Sequence, residues 1–102
     1  AFDERVCFFG ELTVDYSQRC LFVKGERIAL AKKEFDIVEL LSQNPGQVFD
    51  KERIYERVWG YDGEGDSAVV AEHIRRIRGK LAGYTDGNYI ETVWGCGYKW
   101  AK

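Results

Sequence analysis

One stretch constrains the fold more than any other. Val70, Ile74, Ile77 and Leu81 recur at spacings of four, three and four residues, which places them on one side of an α-helix. That stripe must lie on a core. The opposite side is centred on Ala68, Glu72 and Gly79 and flanked by Arg75 and Arg76, with His73, Arg78 and Lys80 nearer the edges. Four cations therefore stand on a rod moored by its apolar face, in a chain whose net charge is −2.

The rest of the chain supplies a frame for that rod. Val6 to Phe9, Leu12 to Tyr16, Cys20 to Val23, and Ile28 and Leu30 about Ala29 read as short strands. Gly10, Ser17-Gln18 and Lys24-Gly25 separate them, and such short connections demand antiparallel pairing. From Ala31 the period turns helical through Phe35, Val38 and Leu41, with Ile37 and Leu40 alongside, and ends at Asn44-Pro45-Gly46. Asp50 is a natural N-cap for a second helix carrying Ile54 and Val58, which Gly60 terminates. Residues 60–66 are acidic and glycine-rich, an exposed loop before the third helix. After a turn-rich link at 83–88, Tyr89 to Val93 and Tyr98 to Trp100 form a hairpin about Trp94-Gly95-Cys96-Gly97. Segregated strands and helices indicate an α+β class.

Composition narrows the function. The 102 residues are the size of one domain, and 15% aromatic residues suffice for a core without staples. Cys7, Cys20 and Cys96 are an odd number with no metal-ligand spacing, and we read them as small apolar fillers. No apolar run approaches the roughly 18 residues needed to span a bilayer, so a soluble cytoplasmic protein without membrane contact is expected. The sole histidine, His73, lacks the companions that a metal site or an acyl-transfer centre requires. No phosphate-cradling or nucleophile-elbow motif occurs. An enzyme, a metal site and a cofactor are not expected.

A cationic helix anchored behind and preceded by another helix suits the DNA major groove. Its connection, at roughly seven residues, exceeds the usual 3–4 of a helix-turn-helix. Gly79 strengthens the reading, because a mid-helix glycine costs about 0.5–1 kcal/mol and makes sense where another backbone comes close. Glu72 has two readings, accepting from a cytosine N4 or pairing with Arg75 or Arg76. His73 likewise has two, a structural role or donation to a phosphate.

Five motifs add a resemblance. Leu30-Ala31-Lys32-Lys33-Glu34-Phe35, Asn44-Pro45-Gly46-Gln47-Val48, Val58-Trp59-Gly60, His73-Ile74-Arg75-Arg76-Ile77-Arg78 with Lys80-Leu81, and Ile90 through Tyr98 stand in the order found in OmpR/PhoB-type response regulators. Nearly the whole chain resembles their C-terminal winged helix-turn-helix effector domain. The resemblance implies an N-terminal four-stranded antiparallel sheet, three helices and a C-terminal β-hairpin wing. It implies sequence-specific double-stranded DNA as partner, on direct repeats, with Arg75, Arg76 and Arg78 among base and phosphate contacts and His73 near a phosphate. Thr92, Trp94 and Gly95 of the wing would approach the backbone and minor groove. Tyr61, Asp62, Gly63 and Glu64 correspond to a loop that contacts RNA polymerase in such proteins. A phosphorylatable receiver domain, normally linked ahead of this one in the phosphorelay, is absent from residues 1–102, so an isolated effector domain of a two-component transcriptional regulator is expected.

Departures from the pattern are specific. Trp94 stands where an arginine is usual; it could stack on sugars or wedge shallowly, but packing across the hairpin is the favoured expectation. Ala68 and Ala71 replace a usual arginine and acid, and Ala31 replaces a threonine N-cap, leaving Glu34 as half of a capping box. The acidic balance, Glu72, Ala68 and Trp94 keep one alternative open, a winged-helix protein-interaction module with lost or weak DNA binding.

Overall fold

The computed structural model describes residues 5–60 and 65–101. Strands β1 (Val6–Phe9), β2 (Leu12–Asp15), β3 (Cys20–Val23) and β4 (Glu26–Ala29) form an antiparallel meander in sequence order. Helices α1 (Lys32–Ser42), α2 (Lys51–Trp59) and α3 (Ala68–Ala82) follow, and β5 (Ile90–Val93) and β6 (Gly97–Trp100) close the chain as a separate hairpin. This is the α+β winged-helix arrangement expected from the sequence.

Turn chemistry sets the register of the meander. Lys24 and Gly25 both have positive φ, 52° and 84°, and join the Val23↔Glu26 pair by two residues, the mirror-image turn that matches strand twist. The fourth strand therefore begins at Glu26 and ends at Ala29, earlier than the Ile28 to Leu30 reading, which did not credit Lys24 with a left-handed conformation. Asp15 holds the wider turn, its Oδ1 accepting from the amides of Ser17 at 3.0 Å and Gln18 at 2.9 Å.

One core joins the layers. Leu12, Val14, Leu21, Val23 and Ile28 from the sheet meet Phe35, Ile37, Val38 and Leu41 of α1, Ile54 of α2 and Val70, Ile74, Ile77 and Leu81 of α3. The α3 stripe is buried as its spacing demanded. Ile90 and Trp100 carry the hairpin into the same core.

The cysteine reading needs correction. Cys20 is buried, but Cys7 and Cys96 are exposed. Cys7 sits on β1, which is paired on one side only, and Cys96 lies in the tip between β5 and β6, beyond the reach of the core. No helix among the described residues is long and apolar enough to cross a membrane.

Candidate nucleic-acid interface

Two caps present α3 and its partner helix. Asp50 accepts from the Arg53 amide at 2.8 Å, starting α2 as expected, and Gly60 ends it with φ 83°. Before α3, the Asp66 carboxylate accepts from the Ala68 amide at 2.8 Å, placing an anion where the first helical N–H groups are orphaned. Tyr61, Asp62, Gly63 and Glu64 lie outside the described residues.

The cations of α3 divide into two kinds. Arg75 and Arg76 project into solvent, with side chains 74% and 53% exposed. Glu72 lies between them, its Oε2 2.6 Å from Arg75 Nη2 and 3.4 Å from Arg76 Nε. Hydrogen bonding from Arg75 holds the Glu72 carboxyl below the ordinary carboxylate range, with the charges of Arg75 and Arg76 adding to it, and Glu72 raises Arg75 in turn. Such exposed pairs are weak and screened by salt, so both guanidiniums can exchange Glu72 for another anion. Of the two readings of Glu72, the ion pair is the one formed in the free chain.

Arg78, half-buried, and Lys80, still exposed, turn back onto the protein. Arg78 Nη2 donates to the Ile90 carbonyl at 2.8 Å and the Thr92 hydroxyl at 2.9 Å, and its guanidinium lies 5.8 Å from the Tyr98 ring centre. It bolts the hairpin to α3, engaging Thr92 in the process. Lys80 Nζ reaches across to α1 and sits 2.6 Å from Glu34 Oε1. That oxygen also accepts from the Ala31 amide at 2.9 Å, the half capping box left by an alanine N-cap. Burial of Glu34 pushes its pKa up, but Lys80 and the Ala31 N–H outweigh it and hold the carboxyl below its ordinary value. His73 Nδ1 is 2.7 Å from the Val69 carbonyl. A carbonyl only accepts, so Nδ1 carries the proton and Nε2 can donate only from the imidazolium. The ring meets Trp59 edge-on at 5.0 Å.

Between the two exposed arginines the helix surface is low. Ala68 and Gly79 are exposed, and a Cβ at Gly79 would meet nothing within 4 Å. Nothing in this chain requires glycine there.

The hairpin is fixed at its base and bare at its tip. Phe49 and Tyr98 exchange backbone hydrogen bonds of 2.8 and 2.9 Å, and the Gly46 amide donates to the Trp100 carbonyl at 3.0 Å. Gly97, at φ 143°, lies so close to this strap that a Cβ would fall 2.1 Å from the Phe49 carbonyl oxygen. The Cys96 amide donates to the Val93 carbonyl at 2.9 Å, closing a turn in which Gly95 takes φ 79°. Trp94 is 90% exposed. The expected packing across the hairpin does not occur, because Trp94 follows the last paired position, Val93↔Gly97, and Gly95 and Gly97 offer no side chain to lie on. An open hollow of about 370 Å³ separates this tip from the start of α2 at Lys51.

Sequence reasoning missed two supports of this surface. Glu34 was read only as a cap, and its bond to Lys80 spans 46 residues, a separation no local pattern reports. The strap between Phe49 and Tyr98 was also unforeseen, because it joins residues far apart in sequence.

Known proteins share both sequence and architecture. The profile of the family described as "Transcriptional regulatory protein, C terminal" matches residues 25–100. The chain belongs to the OmpR/PhoB-type response-regulator family, as its DNA-binding domain. The transcriptional regulatory protein YclJ of Bacillus subtilis is 44% identical over 97 residues, covering 94% of this chain and 40% of that protein. The DNA-binding domain of RstA from Klebsiella pneumoniae, solved in complex with the RstA box, superposes with a TM-score of 0.80 at 33% identity, covering 96% of this chain and 98% of that one. The response regulator DrrB of Thermotoga maritima, an OmpR/PhoB homologue, gives a TM-score of 0.84 at 35% identity over 96% of this chain and 45% of that one. The chain thus spans about 40% of the length of the curated relatives it matches.

Proposed function

We propose that this chain binds double-stranded DNA sequence-specifically, with α3 in the major groove and the β5–β6 wing on the adjacent backbone and minor groove. The observation that carries the reading is the division of the α3 cations. Arg78 and Lys80 are spent on holding the helix to the wing and to α1, while Arg75 and Arg76 stand outward beside the small residues Ala68 and Gly79. Phosphate contacts position a protein and base-edge contacts specify its site. In this reading Arg75 and Arg76 do both, Glu72 steers them or accepts from a cytosine, and His73, once protonated, donates to a phosphate. Arg78, Lys80 and Thr92 act mainly by positioning, and Gly95 lets the tip approach the groove.

Membership of the family supports further partners as part of this proposal. The whole protein carries a receiver domain whose phosphorylation governs pairing on direct repeats, and Tyr61 to Glu64 contact RNA polymerase. A DNA target places the protein in the cytoplasm. The mechanism is recognition without catalysis. In vitro selection from randomised duplexes tests the reading, followed by gel shifts of Arg76→Ala on selected and scrambled sites. A base-reading Arg76 loses about 1–3 kcal/mol on the selected site alone, whereas a phosphate-bound one weakens both.

One observation favours a second reading. The exposed Trp94, together with Phe8 at 75% exposure, would suit a protein-interaction module. Binding to such a partner would respond weakly to salt, and binding through phosphates steeply.

A further inference from the structure

Trp94 is the largest side chain that the fold leaves outside. An indole ordinarily earns its place by burial, yet this one is 90% exposed on a tip flanked by glycines. The tip has no charge of its own: Thr92 through Tyr98 contain no lysine or arginine, Arg78 is held by the Ile90 carbonyl and the Thr92 hydroxyl at the base of the hairpin, Lys99 lies 3.6 Å from Glu91, and Lys51 stands across the hollow. Nor is it free to swing. The Phe49–Tyr98 strap and the Arg78 bolt fix the hairpin relative to α3. A rigid apolar blade therefore stands at a set offset from the cationic helix.

We propose that Trp94 enters the minor groove beside the site read by α3 and partly unstacks one base step, so that the wing reads DNA deformability in place of groove charge. The inference rests on the DNA-binding reading above. Apolar wedges at minor-groove steps kink the duplex, and pyrimidine–purine steps yield most cheaply. The tip contact releases no counterions, because no cation makes it.

The test uses the 102-residue chain and selected duplexes carrying 2-aminopurine at successive flanking positions. The wild type brightens the probe at one step. Trp94→Ala abolishes that signal and weakens binding about tenfold, with the salt dependence and the melting temperature unchanged, while Trp94→Phe keeps most of the signal. Replacing the probed step by a stiff A-tract weakens the wild type but not Trp94→Ala. Equal affinity and equal brightening in Trp94→Ala would overturn the proposal. So would loss of self-association without DNA in that variant alone, which would assign the indole to a second copy of the chain. Failure of the underlying reading looks different: no selected duplex is recovered, or the Arg75→Ala/Arg76→Ala pair binds like the wild type.

Discussion

The outer face of α3 and the tip of the wing meet solvent side by side in design but not in chemistry. On α3 the exposed groups are ionic and already engaged with one another through Glu72; at the tip the exposed group is an uncharged indole with glycines about it. In the proposed reading the first surface would attract a polyanion at a distance, and the second would act only at contact. Behind both runs the same internal wiring, since Arg78 joins α3 to the wing and Lys80 joins it to α1. Two of the four Arg and Lys side chains of the helix thus serve geometry, leaving Arg75 and Arg76 as its outward cations.

Disturbing that wiring should have the largest effect. Gly97→Ala drives a Cβ into the Phe49 carbonyl, so the hairpin base must move, and denaturant unfolding should show a loss of about 3 kcal/mol. An unchanged midpoint would mean that the tip is not held by this strap.

The Glu34–Lys80 pair comes next. Glu34→Gln should cost about 2 kcal/mol near neutral pH, because a charged hydrogen bond to a buried carboxylate is lost. Its folded-state pKa is lowered, so its contribution is present above the ordinary glutamate pKa and disappears as pH falls through the lower folded value. The stability difference between wild type and variant should therefore begin to shrink as pH falls below the ordinary glutamate value of about 4.3 and close below the lower folded value. A constant difference across that window would remove the charge from the account and leave only shape.

Much of this was legible beforehand, and the reasons differ by region. The α3 stripe, the Asp50 cap and the Gly60 stop are local signals and stand where expected. The fold class followed from their order. Arg78 and Lys80 were legible as helix-edge residues, but their partners, Thr92 and Glu34, lie 14 and 46 residues away. Whether an edge cation faces water or its own chain depends on what packs alongside, which periodicity does not encode. Trp94 misled for the converse reason: an aromatic in a hairpin suggests a cross-strand partner, and here Trp94 lies in the turn beyond the last pair, Val93↔Gly97.

Gly79 offers the smallest and sharpest contrast. With open space around it, Gly79→Ala should stabilise the helix by about 0.5–1 kcal/mol. If DNA backbone approaches that spot, affinity for the selected duplex should fall while stability rises. A gain in both, read by thermal melting and gel shift, would show that no close approach occurs there.

The most direct test of the division of labour is the slope of log binding constant against log salt concentration on the selected duplex. Arg75→Ala and Arg76→Ala should each flatten the slope by about one, and Trp94→Ala should leave it unchanged. A slope indifferent to both arginines, or one that flattens when the indole is removed, would contradict the assignment of charge to α3 and apolar contact to the wing.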